Sequence, residues 1–172
     1  MFKILTNDPS MTAWGWAVLT SEGKILDCGC IKTAPEVKKR RIRKGDDTVR
    51  RVSEINQKLL SLIDKYDVRY LLSELPHGSQ NASAAVMIGI VVGIVQTLSD
   101  TLTIGVEWYS EQDSKKCVLG KKAATKSDMI DAISGLYEID WKGVKYADEA
   151  IADALAVHYV ATKQSPVLKG RL

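Results

Sequence analysis

The stretch Tyr146-Ala-Asp148-Glu149-Ala-Ile-Ala-Asp153-Ala-Leu-Ala156 places three acidic residues in an otherwise apolar, alanine-rich segment near the C-terminus. Such a composition is typical of a buried helix. Burying a carboxylate is costly unless a cation or a metal ion compensates its charge. The stretch therefore predicts a helix that faces a positive partner, and a divalent metal ion is the leading candidate.

The chain before this helix alternates short apolar strands with helical patterns. Strands are predicted at residues 2–6, 14–20, 25–31, 68–73 and 103–108. Helices are predicted from an Asp47-Thr48 cap to residue 66, and at residues 82–98, 110–119, 126–137 and 147–163. This order predicts an α/β fold, with a mixed five-stranded sheet flanked by helices. Residues 1–163 are expected to form one domain and residues 164–172 a loose C-terminal tail.

The composition is that of an ordinary soluble domain. The 172 residues are 45% hydrophobic and 26% charged. The most apolar segment, residues 82–98, is interrupted by Ser83 and Gln96, so it is interpreted as a buried helix rather than a membrane span. The N-terminus has no signal-peptide pattern, and the three cysteines fit reduced thiols. These features fit a reducing cytoplasm.

Positive charge is concentrated in two segments, although the net charge is only +3. The first segment contains Lys38, Lys39, Arg40, Arg41, Arg43, Lys44, Arg50 and Arg51. The second contains Lys115, Lys116, Lys121, Lys122 and Lys126. Local basic clusters on a nearly neutral chain favour contact with a polyanion, and solvated surface charge is the alternative.

Acidic residues outside the C-terminal helix extend the metal hypothesis. Asp8 follows the first strand and Glu74 ends the fourth, so the two lie side by side if these strands are neighbours. Glu149 and Asp153 are four residues apart and share a helix face, whereas Asp148 shares it poorly unless it caps the helix. Carboxylate oxygens suit Mg²⁺ or Mn²⁺. Two such ions about 4 Å apart can activate a water and stabilise the leaving oxygen of a phosphodiester.

Two blocks in the first half of the chain resemble RuvC-type Holliday-junction resolvases of the RNase H-like superfamily. Ile4-Leu-Thr-Asn-Asp8-Pro-Ser10, followed by Gly15-Trp-Ala17, is similar to that family's first strand, catalytic Asp and second strand. Ser73-Glu74, followed by Asn81-Ala-Ser83 and by glycines 89 and 93, is similar to its catalytic Glu, the next loop and the next helix.

Two blocks in the second half extend the resemblance to nearly the whole chain. Lys115 lies five residues before Gly120 and Lys126 six after it, as two lysines do in the family. Asp153-Ala-Leu-Ala156 is similar to the setting of the family's last catalytic Asp.

The resemblance implies an RNase H-like fold and a metal-dependent endonuclease that resolves Holliday junctions by paired phosphodiester cleavage at the crossover, with other branched DNA as further candidate substrates. A phage-encoded branch of the family is one candidate source, so the implied location is the cytoplasm of a bacterium or of a phage-infected host cell. The implied catalytic residues are Asp8, Glu74, Glu149, Asp153, Lys115 and Lys126. The implied ligands of two Mg²⁺ ions per site, or of Mn²⁺, are Asp8, Glu74, Asp148, Glu149 and Asp153. The implied DNA-binding residues are His77, Lys38, Lys39, Arg40, Arg41, Arg43, Lys44, Lys121 and Lys122. The helix at 82–98 is implied to build a homodimer.

The chain departs from the family pattern at three places. The family usually has an Asp or His three residues before its final Asp, and this chain has Ala150, so Asp148 and Glu149 are alternatives for the fourth carboxylate. Thr6-Asn7 stands where Gly-Ile is commoner. His77 stands where the family often has an aromatic residue that stacks at the junction.

Two other functions fit the same residues. One is a different nuclease on this fold, which cuts flaps or RNA–DNA hybrids. The other is a catalytically silent protein that binds branched DNA.

Overall fold

A five-stranded mixed sheet forms the centre of the protein, in the order β3-β2-β1-β4-β5. The computed structural model describes residues 1–36, 42–121 and 125–170. The strands are β1 Lys3–Asp8, β2 Ala13–Thr20, β3 Ile25–Lys32, β4 Val68–Leu75 and β5 Gly105–Ser110. The first three form an antiparallel meander, and β4 and β5 run parallel to β1. The mixed five-stranded sheet and the adjacency of β1 and β4 are thus confirmed.

Helices cover both faces of the sheet. Helices α1 and α2 pack on one face, and α5 packs on the other, with α3 and α4 against it. Their bounds are α1 Lys44–Tyr66, α2 Ala82–Leu102, α3 Glu111–Leu119, α4 Lys126–Ser134, α5 Lys145–Gln164 and α6 Pro166–Lys169.

The alternation of side chains along β1 determines on which face of the sheet the Asp8 carboxylate lies. Leu5 packs in the cluster shared with α1 and α2, whereas Ile4 packs with Val157 of α5. Successive residues of a strand point to opposite faces. Asp8 has the parity of Ile4, so its carboxylate lies on the α5 face.

The first helix begins earlier than its predicted Asp47-Thr48 cap. It starts at Lys44, and Asp47 is buried in its first turn. The Asp47 carboxylate accepts hydrogen bonds from the Glu36 backbone N–H and the Arg50 guanidinium. Asp47 therefore links the residues before α1 to the first turn of this helix, and it does not cap the helix.

Within the described residues 165–170, the chain after α5 is helical and packed, where the sequence predicted a loose tail. Ser165 is fully buried and caps α6, accepting from the backbone N–H groups of Val167 and Leu168. Its hydroxyl donates to Glu107 of β5 at 2.8 Å. Leu168 packs beside Ile4. Residues 165–169 thus pack against β1 and β5.

Helix α2 is only half buried, which corrects the expectation of a buried helix. Its inner side buries Val91, Ile94, Val95 and Leu98. Its outer side exposes Gly89, Gly93 and Val86, and the Val86 residue is 58% exposed. By length and composition alone α2 could also cross a membrane, which for one such helix is weak evidence. The helix therefore presents an apolar outer face.

Candidate active site

The carboxylates of β1 and β4 lie side by side at the carboxyl edge of the sheet. The two strands are parallel, with Asn7 opposite Ser73, so Asp8 and Glu74 come level at the next position. Asp8 is partly buried, as is Glu74. Neighbouring parallel strands deliver their last residues to one edge, which is the usual place for a site in such sheets.

Helix α5 brings a third carboxylate, Asp153, which is 8% exposed. The helix crosses β2 at very short range: a Cβ added to Gly15 would lie 1.9 Å from the Ala150 carbonyl oxygen. One turn on, the Thr6 hydroxyl donates to the Ala154 carbonyl at 2.6 Å. These two contacts hold the Asp153 turn of α5 against the end of β1.

Burial and crowding make this cluster electrostatically unfavourable. Burial, followed by the charge of Asp153, raises the pKa of Asp8 to about 7. Burial, followed by the charge of Asp8, raises the pKa of Glu74 to about 9. The Lys126 ammonium donates to the Asp153 carboxylate and opposes these shifts, yet burial still holds the pKa of Asp153 above its ordinary value. The site therefore favours additional positive charge.

The donor atoms suit a hard divalent cation, because all three side chains offer carboxylate oxygens. Asp8, Glu74 and Asp153 are the residues that would hold it. Within residues 1–36, 42–121 and 125–170, no three acidic, His or Cys side chains form a ready ligand set. Lys126 contacts the Asp153 carboxylate directly. The fit therefore rests on donor chemistry and excess negative charge.

Neither sequence candidate for the fourth carboxylate joins the cluster. Asp148 is buried, and its carboxylate accepts the Lys142 backbone N–H at 2.8 Å. Its charge contributes instead to raising the pKa of the Cys28 thiol, after the larger effect of burial. Glu149 is half buried, and its side chain makes no hydrogen bond or ion pair with the described residues. Ala150 occupies the position three residues before Asp153, where a fourth carboxylate was expected, and its carbonyl lies close to Gly15.

A carboxylate that the sequence analysis missed does act on the cluster. Glu111 is the first residue of α3, and its charge raises the pKa values of Asp8, Glu74 and Asp153, in each case after burial. The Ser110–Asp113 capping box marks where α3 begins. That box is a sequence signal that could have located Glu111 at the end of β5.

Two predicted residues lie against Glu111. Lys115 donates to its carboxylate from one turn further along α3. His77, in the loop after β4, has its Nε2 3.5 Å from the same carboxylate. The hydrogen bond from Lys115 is the largest influence that lowers the pKa of Glu111. The structure thus gathers His77, Lys115 and Lys126 around the acidic cluster.

The first basic segment is less available to a polyanion than its charge count implies. Arg50 pairs with Asp47 and Glu54. Arg51 is buried and donates to the Thr33 hydroxyl and to a backbone carbonyl. These two arginines therefore stabilise the fold.

The remaining basic candidates are exposed wherever the structure describes them. Lys44 is exposed, Arg43 pairs with Asp46 on the surface, and Lys121 lies 3.9 Å from Asp128. The other predicted DNA contacts fall outside the described residues: Lys38, Lys39, Arg40, Arg41 and Lys122.

Comparison with known proteins gives one consistent result. The family model described as crossover junction endodeoxyribonuclease RuvC matches residues 4–160. The RuvC of Ehrlichia canis is 23% identical over 91% of this chain and 96% of that protein, and that of Prochlorococcus marinus is 27% identical over 90% and 92%. Among solved structures, Thermus thermophilus RuvC in complex with a Holliday junction substrate has a TM-score of 0.74 at 18% identity, covering 94% of this chain and 93% of that one. The yeast mitochondrial Holliday junction resolvase Ydc2 has a TM-score of 0.65 at 12% identity, covering 98% and 80%.

Proposed function

This chain belongs to the RuvC family of crossover junction endodeoxyribonucleases, and on that premise we propose that it resolves four-way DNA junctions by hydrolysing phosphodiesters at the crossover. The observation that carries the proposal is the gathering of Asp8, Glu74 and Asp153 at the carboxyl edge of β1 and β4, beside Lys126. A buried acidic cluster of this kind is poorly suited to binding a phosphate unless cations join it.

The family is one of metal-dependent nucleases, and we propose Mg²⁺ as the ion, with Mn²⁺ as a substitute and two ions per site. Asp8, Glu74 and Asp153 would hold these ions. Divalent ions supply Lewis acidity and a nucleophile from bound water at neutral pH. The buried carboxylates fix where positive charge can collect, and their burial strengthens each electrostatic interaction there.

The two lysines have distinct proposed roles. Lys126 orients Asp153 through its direct contact, so it is placed to position that carboxylate and to stabilise charge on the cleaved phosphate. Lys115 is placed to contact a phosphate at the entrance of the site, because its present partner Glu111 is on the surface side of the cluster.

DNA arms would be held by the exposed basic residues. Arg43, Lys44 and Lys121 are available by their exposure, and Lys38, Lys39, Arg40, Arg41 and Lys122 remain predictions from the sequence. His77 is proposed to stack at the junction centre, since its side chain is 52% exposed in the loop that follows Glu74.

A homodimer through α2 follows from the symmetry of the substrate and the surface of the helix. A four-way junction needs two incisions, and a two-fold dimer supplies two sites. Helix α2 exposes an apolar outer face whose glycines, Gly89 and Gly93, have no neighbouring atoms within 4 Å of an added Cβ. A second copy of α2 would cover this face.

The test is cleavage of synthetic four-way, flapped and RNA–DNA hybrid substrates with Mg²⁺. We expect paired nicks in the four-way junction, and loss of cleavage but not of binding for Asp8→Asn and Glu74→Gln. Glu138→Gln, on an exposed residue after α4, is the matched control and should cut normally. Preference for flaps or hybrids would identify the different nuclease, and binding without any nicking would identify the silent scaffold.

The setting of the reaction is proposed from the relatives. The RuvC proteins named above come from bacteria, which supports a bacterial cytoplasmic DNA-processing role. A phage-encoded origin stays a prediction.

A further inference from the structure

The family position for a fourth carboxylate on α5 is occupied by Ala150 in this chain, which raises the question of what replaces it. We propose that Glu111, from the first turn of α3, is the fourth carboxylate of the active site and takes part in holding the metal ions. This inference deepens the proposed function and rests on it.

Strand register places Glu111 at the same edge as the other acids. Strands β1, β4 and β5 are adjacent and parallel, so their carboxyl ends lie in a row. Glu74 is opposite Tyr109, and Leu75 is opposite Ser110. Glu111 follows directly, one position beyond the end of β5. Three neighbouring strands thus each deliver one acidic residue to this edge.

These acidic residues also lie on one face of the sheet, the face that α5 covers. Tyr109 packs with Val157 of α5, so odd-numbered positions at the end of β5 point towards α5. Asp8 and Glu74 point to that face by the same alternation. The chain turns into α3 at Glu111, whose carboxylate contacts His77 and Lys115 at the margin of the cluster.

Electrostatics distinguishes Glu111 from the candidates on α5. Its charge acts on Asp8, Glu74 and Asp153 together. The Asp148 carboxylate instead accepts the Lys142 backbone N–H.

The charge balance of the enlarged cluster also points to a divalent ion. Once a divalent ion is bound and all four carboxylates are ionised, the ammonium groups of Lys115 and Lys126 leave two negative charges for the ion to balance. His77 beside Glu111 is exposed and does not remove this excess unless it is protonated. One or more divalent cations would balance the site.

An ordinary structural role predicts different behaviour for Glu111. An acid in the first turn of a helix, paired with a lysine four residues on, contributes only weakly to the stability of the helix. That structural role requires Lys115, and it does not affect the binding of a metal ion. A metal ligand instead requires the carboxylate charge, and it competes with Lys115 for it. The two roles are therefore separable by removing each partner in turn.

The experiment is a titration of the DNA-free protein with Mn²⁺, in which electron paramagnetic resonance reports free ion. Glu111→Gln keeps the size of the side chain and an oxygen that Lys115 can still contact, and circular dichroism checks that it folds. We expect it to weaken Mn²⁺ binding by about tenfold to a hundredfold. Lys115→Met should retain or strengthen binding, because it frees the Glu111 carboxylate. Glu138→Gln is the neutral control.

Equal weakening by Glu111→Gln and Lys115→Met would overturn the proposal in favour of a structural ion pair. Unchanged affinity in Glu111→Gln with loss in Glu149→Gln would overturn it by returning the fourth carboxylate to α5. Asp8→Asn separates this failure from failure of the proposed function: if Asp8→Asn lowers affinity and Glu111→Gln does not, only the role of Glu111 is wrong. If neither variant lowers it, the metal site itself is wrongly assigned.

Discussion

Gly15→Ala tests whether the close approach of α5 to β2 positions the catalytic edge. The added Cβ would lie 1.9 Å from the Ala150 carbonyl oxygen and 2.3 Å from its carbon, whereas real Cβ contacts essentially never fall below 3.0 Å. Both clashing atoms are backbone, so no rotamer change relieves them. The helix has to retreat from the sheet by about 1 Å, the difference between the 1.9 Å contact and the 3.0 Å limit.

The retreat reaches Asp153 because a helix moves as a unit over one turn. Asp153 is three residues from Ala150, which is about 4.5 Å along the axis. A misplacement of about 1 Å can cost about 100-fold in rate. Overpacking of this kind costs about 1–3 kcal/mol of stability. A domain stable by about 5–15 kcal/mol therefore stays folded and loses most of its activity.

The assay is single-turnover cleavage of a synthetic four-way junction at saturating enzyme, with urea unfolding measured in parallel. Gly135→Ala is the matched control, since its Cβ would lie 3.4 Å from the nearest atom and its backbone is already helical. We expect the control to cut at the wild-type rate. Ala150→Gly should fail to rescue Gly15→Ala, because the clash is with the carbonyl.

Two outcomes would refute this reasoning. Wild-type stability and rate in Gly15→Ala would show that α5 does not pack as tightly as described. Reduced stability with an unchanged rate would show that the position of α5 does not control the site.

Three further predictions concern stability, assembly and DNA binding. His158 is buried and shares a hydrogen bond with Tyr137, and burial lowers its pKa from 6.5 to about 4. The unfolded chain therefore takes up the proton first as pH falls, and about 2 kcal/mol of unfolding free energy should be lost between pH 7.5 and pH 5. An equal dependence of stability on pH in His158→Gln would contradict this. Val86→Glu places a charge on the exposed apolar face of α2 and should convert a dimer to a monomer in sedimentation velocity; a wild-type protein that sediments as a monomer at micromolar concentration would count against the dimer. Lys121→Met should reduce the slope of log K against log salt for junction binding by about 1, and an unchanged slope would remove Lys121 from the DNA surface.

The arrangement of strands was predictable because it follows from patterns of a few residues. Short apolar runs gave the five strands, and the acids at strand ends gave two members of the site. The neighbouring position of β1 and β4 needed the resemblance or an assumption, since strand order in a sheet is not a local property. Asp153 was found because its carboxylate stands out in an apolar helix.

What the sequence could not supply are relations between distant elements. From the sequence, Arg51 belongs to a basic segment that is expected on the surface, yet it is buried and donates to the Thr33 hydroxyl. Glu111 looks like a routine helix start, since its link to Asp8 depends on three strands that end together. Helix α2 has apolar residues on all sides, so its composition does not show which side the sheet leaves uncovered.

The residues before Asp8 show how the chain departs from the family pattern without losing the site. Thr6 stands where glycine is commoner, and its hydroxyl binds the α5 carbonyl next to Asp153. Asn7 points to the opposite face, where its side chain accepts the Trp14 indole N–H at 3.1 Å and is itself fully buried. Both polar substitutions are satisfied, and the first strengthens the attachment of α5. Because α5 is then fixed by Thr6 and Gly15 on either side of Asp153, the helix has no freedom to bring Glu149 closer. A fourth carboxylate has to come from another element that reaches the same edge, and α3, which begins there directly after β5, is such an element.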